Sequence, residues 1–136
     1  MRRIRTFLGA GMVLLWASSH GSAHHAFAAE YDEHKRVTVS GKVTGVRWSN
    51  PHAWLYLDGK DESGKVAIWG FEMGSPNGLK NRGWKQTDVK RGDAIVVEGF
   101  QSRSTLHVAN ATVVTLADGR KLFGGFQSTP GNPGKK

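Results

Sequence analysis

A proline turn between two runs of apolar residues is the feature that most constrains the fold of this chain. The turn is Trp48-Ser49-Asn50-Pro51-His52-Ala53-Trp54. Proline fixes its own φ and favours an extended conformation for Asn50, so His52 leaves the turn in a restricted direction. We therefore interpret the turn as the rim of a candidate functional site. The alternative, which is the commoner case for such a turn taken alone, is a hairpin closed by Asn-Pro in which His52 packs beside Trp54.

Alternating apolar residues on both sides of this turn predict an all-β protein. The predicted strands are residues 37–48, 53–58, 65–72, 94–100 and 105–116, followed by a short strand at 121–123. A change of parity at Gly45 predicts a β-bulge, and Asp61-Glu62-Ser63-Gly64 predicts a hairpin turn. In the last long strand, the pattern places Leu106, Val108, Thr112 and Val114 on one face and His107, Ala109, Ala111 and Val113 on the other.

One helix is predicted between the third and fourth strands, because Ser75 can cap it, Pro76 fits its first position and Gly83 can end it. Three strands, a helix and two strands is the order of an OB-fold. We therefore expect a small five- to six-stranded OB-fold-like barrel with one short helix between strands three and four. A small sandwich would give a similar pattern. Residues 26–35 are expected to form a short helix or an extended strap, anchored by Phe27 and Tyr31.

The first 23 residues have the pattern of a secretory signal peptide. Arg2, Arg3 and Arg5 precede an apolar run at 7–17, and the segment ends in Gly21-Ser22-Ala23. We expect cleavage after Ala23, a single β domain at 24–123 and a disordered tail at 124–136. The product is expected in the periplasm or outside the cell. No transmembrane anchor is expected after cleavage, and the absence of cysteine excludes a lipid anchor on an N-terminal cysteine.

Charge and composition restrict the function only broadly. The formal charge of +8 falls to +5 once the three arginines of the leader are removed. A moderately basic, exported chain could favour anionic polymers or surfaces, but export argues against nucleic acid as the ligand. The expected partner is a periplasmic protein or a small ligand of unknown identity.

Cleavage after Ala23 would make His24 the N-terminal residue, followed by His25. The α-amine and the imidazole Nδ1 of an N-terminal histidine can chelate one metal ion, and a distant histidine could complete the set. His52 is the first candidate for that role and His107 the second. Nitrogen ligands in a planar arrangement suit Cu(II) best, ahead of Zn(II) and Ni(II). The alternative is that the two histidines form an ordinary solvated terminus.

Two further residues are candidates for orienting a histidine ligand: Glu72, at the end of the third strand, and Asn50, in the turn. Glu72 could equally be a strand-end charge or a helix cap. The chain has no phosphate-binding glycine loop, paired-carboxylate spacing or nucleophile motif, and no fingerprint of an organic cofactor.

The sequence therefore predicts a non-catalytic periplasmic protein that binds a metal, with copper as the favoured cofactor. The main alternative is an OB-like module that binds an oligosaccharide, a peptide or a protein. That module would use a tryptophan-rich surface formed by Trp48, Trp54, Trp69 and Trp84, although tryptophans in a small barrel are more often core residues. A copper oxidase or oxygenase is a third hypothesis, for which the sequence shows no substrate surface.

Five segments also carry a resemblance to a known family. They are His24-His25-Ala26-Phe27, residues 48–54, Phe71-Glu72-Met73-Gly74-Ser75-Pro76-Asn77, Arg82-Gly83-Trp84 and Leu116-Ala117-Asp118-Gly119-Arg120-Lys121. Together they resemble small exported bacterial proteins of the domain of unknown function 6152, from His24 to about Phe123. Ala26 departs from the usual serine of that pattern. The resemblance implies export and a compact β domain, and it implies no activity.

Overall fold

In the computed structural model, residues 20–125 are described, with side chains from His25 onward. The predicted signal peptide lies largely outside the described residues, and so does the predicted tail from residue 126. Two helices and six strands follow one another along the chain. They are α1 (His20–Glu30), β1 (Tyr31–Arg47), β2 (Trp54–Asp61), β3 (Val66–Glu72), α2 (Pro76–Asn81), β4 (Ala94–Ser102), β5 (Val108–Thr115) and β6 (Lys121–Phe123).

The sheet closes on itself as a barrel. Its hydrogen-bonded neighbours run β3-β2-β1-β4-β5-β6, and an additional pairing of β3 with β5 completes a five-stranded ring. The β3–β5 pair is parallel, whereas all other pairs in the described chain are antiparallel. Because α2 lies between β3 and β4, the element order is that of an OB-fold. The all-β OB-fold-like prediction is confirmed.

β1 is longer than the sequence pattern predicts. It begins at Tyr31, which pairs with Ser102 of β4, whereas the pattern starts the strand at Val37. The register with β2 shifts between Val43 and Gly45, as the parity change predicts. A bulge bends a long strand, which lets β1 pair with both β2 and β4 in a small closed barrel.

The short helix and the first hairpin follow the sequence prediction. The Ser75 hydroxyl accepts a hydrogen bond from the amide of Gly78, and Pro76 occupies the first turn of α2. Gly64 donates to the carbonyl of Asp61 in the turn between β2 and β3. Within residues 20–125, neither helix has the length and apolar character needed to cross a membrane.

The prediction of which residues share a face of the last long strand is wrong. β5 begins at Val108, after His107 adopts a left-handed backbone with φ of 56°. Its register with β4 then shifts, because Glu98 pairs with Val113 and Gly99 with Ala111. The extra residue restores Val114 to the core side, so a simple alternation along the strand does not hold.

The buried apolar residues form two clusters. The main core fills the barrel and includes Val39, Leu55, Leu57, Phe71, Leu79, Val97, Ala109 and Val114. A smaller cluster contains Phe27 of α1, Tyr31 of β1 and Phe100 of β4, with Val108 packed against it. Since Val108 and Ala109 are consecutive in a strand, they face opposite sides of the sheet. The smaller cluster therefore covers the outer face of the barrel, beneath α1.

Candidate functional site

Glu72 lies at the centre of a polar group on this covered outer face. It follows Phe71, which is buried in the main core, so strand alternation directs Glu72 away from that core. Glu72 pairs with Trp54 across the antiparallel β2 and with Asn110 across the parallel β5. The closure of the barrel thus brings β2, β3 and β5 together around one carboxylate that is 7% exposed.

Both oxygens of this carboxylate have partners. The Tyr31 hydroxyl donates a hydrogen bond to Oε2, and His52 Nδ1 contacts Oε1. The His52 side chain is 34% exposed, whereas Tyr31 is buried. Burial, followed by the hydrogen bond to Glu72, raises the pKa of the Tyr31 hydroxyl well above its usual range. Tyr31 therefore stays protonated and acts as a donor at neutral pH.

The backbone around the proline turn fixes the position of His52. Ala53 donates to the carbonyl of Gly74 at 3.0 Å and accepts from the amide of Met73 at 2.9 Å. These two bonds join the residue after His52 to the end of β3, next to Glu72. Asn50 is exposed at the turn and precedes a cis proline. Of the two residues predicted to orient a histidine, Glu72 contacts His52, whereas Asn50 is an exposed residue of the turn.

Helix α1 covers this polar group. The Phe27 ring packs against the Tyr31 ring at 5.4 Å and the Phe100 ring at 6.1 Å between centroids. Arg103, after β4, donates from Nε to the carbonyl of Ala28 at 2.8 Å and from its amide to the carbonyl of Glu30 at 2.9 Å. The last turn of α1 is thereby joined to the barrel.

A cavity of about 160 Å³ remains between α1 and the barrel. It is lined by Ala26, Phe27, Glu30, Tyr31, His52, Glu72 and Asn110. Asn110 is 1% exposed, and neither atom of its side-chain amide has a hydrogen-bond partner among the described residues. The cavity therefore joins the start of the predicted mature chain to His52, Glu72 and a buried amide.

Comparison with protein families adds one finding. A family model described as a family of unknown function, DUF6152, matches residues 12–110. The chain belongs to this family. The matched range contains the proline turn, Glu72 and Asn110, whereas the segment at 116–121 lies beyond it. Searches of curated proteins and of solved structures found no match.

The four predicted metal ligands of this DUF6152 protein occupy different positions. His25 is exposed on α1, and the side chain of His24 lies outside the described residues. His107 precedes β5, where its ring meets the Trp69 ring at 5.2 Å and its carbonyl accepts from the amide of Gly70. Among the described side chains, no group of three His, Asp or Glu residues is arranged to hold a metal. Of the three predicted ligands whose side chains are described, His52 lies on the cavity, His25 is exposed on α1 and His107 lies elsewhere.

The four tryptophans predicted to form a ligand surface, all among the described residues, do not form one surface. Trp69 and Trp84 are buried in the main core, so their assignment to a ligand surface is wrong. Trp48 is half-buried against the core and makes an edge-to-face contact with Trp84 at 6.0 Å. Trp54 alone of the four stands on the outer face, where it stacks on Tyr56 at 6.2 Å with the Arg47 guanidinium over its ring.

Sequence reasoning missed two residues of the site. Tyr31 was expected only to anchor the lead-in segment, and its contact with Glu72 spans 41 positions. Asn110 carried a weak signal, since it is an amide between Ala109 and Ala111 inside an apolar strand. Such a position favours a buried polar group, but only the β3–β5 pairing identifies Glu72 as its neighbour.

Proposed function

We propose that the mature protein is a non-catalytic periplasmic metal-binding protein, with copper as the favoured ion. The proposed ligands are the α-amine and ring of His24, the ring of His25 and the ring of His52. The observation that carries this proposal is the cavity shared by Ala26, Phe27 and His52. It supports a common location for the start of the mature chain and the distant histidine.

The length of the chain between these groups fits one site. His24 lies two residues before Ala26, and two residues span at most about 7 Å. The His24 ring and the α-amine would extend this reach. Cleavage after Ala23 would cut the chain within α1, so the remaining turns would still be joined to the barrel through Arg103.

The contact with Glu72 prepares His52 for ligation. A carboxylate on Nδ1 fixes the tautomer and the ring orientation, so that Nε2 is the ring nitrogen that binds metal. Tyr31 in turn holds the second oxygen of Glu72. Met73, the single methionine after the leader, is 1% exposed. The donors are therefore nitrogen atoms, which favours Cu(II) over Zn(II) and Ni(II).

The test is a Cu(II) titration of the metal-free protein that begins at His24, with the N-terminus verified by mass spectrometry. Calorimetry gives the stoichiometry, and electron paramagnetic resonance reports nitrogen hyperfine coupling. We expect one tightly bound ion, weakened at least tenfold by His52→Ala or by one additional N-terminal residue. His34→Ala, an exposed position in β1, is the matched control. Binding that neither change weakens would contradict the proposal.

A second candidate function rests on the smaller aromatic surface around Trp54. The Trp54 and Tyr56 rings lie nearly parallel, at 14°, on the outside of β2 and against Gly70. Such stacked rings can hold a sugar or the aromatic group of a peptide. This function predicts that Trp54→Ala abolishes binding of an oligosaccharide or peptide and that a chelator does not. Equal binding by parent and variant would contradict it.

A further inference from the structure

Asn110 is the least explained polar group of the site. It is 1% exposed, and neither its amide nitrogen nor its amide oxygen has a partner among the described residues. A buried amide without hydrogen bonds destabilises the folded state, and such a group calls for an explanation. The metal proposal does not use Asn110, because amide atoms of asparagine are not among the nitrogen ligands that it names.

The cavity beside Asn110 has the size and lining of a site for a small molecule. Its volume is about 160 Å³. Cavities of roughly 150 Å³ hold a molecule the size of benzene. One wall is apolar, formed by Ala26 and Phe27, and the opposite wall is formed by the polar residues Tyr31, His52, Glu72 and Asn110.

The charged and polar groups around the cavity favour an uncharged ligand. The described lining residues include Glu30 and Glu72 and no Lys or Arg, so an anion is disfavoured. Both oxygens of Glu72 already have partners, and an amidinium cation carries only donors, so it would leave the amide NH₂ of Asn110 without an acceptor. The Asn110 amide presents a donor and an acceptor on neighbouring atoms, which pair best with the same two groups on a ligand.

We infer that the cavity beneath α1 binds a small uncharged molecule that carries a hydrogen-bond donor and an acceptor on neighbouring atoms, the class of primary amides. Both amide atoms of Asn110 are buried in the structure, so binding requires the amide to rotate toward the cavity that this residue lines. The free energy released when a buried amide gains hydrogen-bond partners favours this rotation. The inference does not depend on the metal, because neither Asn110 nor the apolar wall is a proposed ligand.

Three molecules of the same shape and different charge test the inference: acetamide, acetate and acetamidinium. Each is titrated into the ¹⁵N-labelled, metal-free mature protein in the presence of a chelator. The side-chain amide signals of Asn110, identified by their loss in Asn110→Leu, report binding directly. We expect saturable shifts with acetamide and at least tenfold weaker binding of both charged molecules. Failure of the metal proposal would leave this result unchanged.

Two variants complete the test. Asn110→Leu should weaken acetamide binding at least tenfold, as read from the backbone amides of Phe27 and Glu72. Asn81→Leu, the same substitution at an exposed position of α2, should leave binding unchanged. Acetate or acetamidinium binding as tightly as acetamide would overturn the inference, and so would full binding by Asn110→Leu. The absence of any saturable shift with acetamide would also overturn it and would assign the Asn110 amide to bound water.

Discussion

Glu72 connects two side chains that come from distant parts of the chain. Tyr31 lies 41 positions before it, and His52 lies in the loop between β1 and β2. A buried carboxylate is stable only when charge and hydrogen bonds compensate its loss of hydration. Tyr31 and His52 supply that compensation, and in return Glu72 orients both rings.

Glu72→Gln tests the orienting role of this carboxylate. Glutamine keeps the size of the side chain, but it has no charge and only one acceptor oxygen, so it cannot replace the carboxylate that contacts both Tyr31 and His52 Nδ1. We expect Cu(II) affinity to fall about 10- to 100-fold, the usual cost of losing a carboxylate partner of a histidine ligand. Glu62→Gln, in the exposed hairpin turn, is the control and should bind as the parent does. Unchanged affinity in Glu72→Gln would exclude the orienting role.

Tyr31→Phe should change the dependence of stability on pH. An unfolded tyrosine ionises near pH 10.0, whereas the raised pKa of the folded Tyr31 keeps it protonated at higher pH. The contribution of Tyr31 to the free energy of unfolding is therefore fully present below pH 10.0, the ordinary pKa of tyrosine, and is lost as the pH rises above it. The stability difference between parent and Tyr31→Phe should shrink by about 1.4 kcal/mol per pH unit in that range. Urea unfolding of the metal-free proteins between about pH 8 and pH 11 measures it, and a constant difference would contradict the assignment.

Asn110→Leu should stabilise the ligand-free protein. Leucine has a similar shape and removes an amide whose two polar atoms have no partner among the described residues. We expect the free energy of unfolding to rise by about 1 kcal/mol. Urea unfolding measures this change, with Asn81→Leu as the control. A loss of stability would show that the amide has partners, such as bound water, in solution.

The sequence predicted part of this site. His52 is conspicuous because a proline turn precedes it, and Glu72 because it ends an apolar strand. Tyr31 and Asn110 could not be placed, since their roles depend on how β1, β3 and β5 meet. A local pattern shows which residues share a face, but pairing between strands distant in sequence is a property of the whole sheet.

At the scale of elements, two glycines allow the register shifts that shape the barrel. Gly45 lies at the shift between β1 and β2, and Gly99 at the shift between β4 and β5. A methyl group on Gly99 would lie against the backbone carbonyl of Asn110, closer than van der Waals contact allows. The nearest atom to a methyl group on Gly45 would be in the Tyr56 ring at 3.6 Å, which is an ordinary contact.

These two glycines should therefore respond differently to the same substitution. Gly99→Ala should lower the free energy of unfolding by about 1–3 kcal/mol, because the backbone of β5 beside Asn110 has to move. Gly45→Ala should stay within about 1 kcal/mol of the parent. Thermal or urea unfolding of the pair measures both effects. Equal loss of stability in the two variants would contradict the close approach of β4 and β5 at Gly99.

The sequence pattern predicted the strands accurately where apolar and polar residues alternate regularly. It failed where the register between paired strands shifts. β2, β3, β4 and α2 lie close to their predicted positions, because alternation and capping are local properties. The sequence did not predict that β1 begins at Tyr31, because residues 32–36 are polar. These residues pair with β4 only in part. The prediction of which β5 residues face the core was wrong because β5 has a bulge at its register shift beside Gly99 of β4.

At the scale of the whole molecule, barrel closure and α1 together create the candidate site. The parallel pairing of β3 with β5 places Glu72 beside Asn110, and α1 covers both from outside. The order of strands and helix could be predicted from the sequence, since alternation and helix capping are local properties. The packing of α1 against the barrel could not, because no local pattern shows where such a helix packs.

The most direct test of the account is a double-mutant cycle on Cu(II) affinity. Its two changes are one additional residue before His24 and the substitution His52→Ala. If both groups bind the same ion, the second change should have little further effect once the first has been made, so their combined loss should be at least tenfold smaller than the product of the separate losses. Losses that multiply would show that the N-terminus and His52 contribute to binding without coupling and would contradict a shared chelate, and no loss in either variant would contradict the metal site itself.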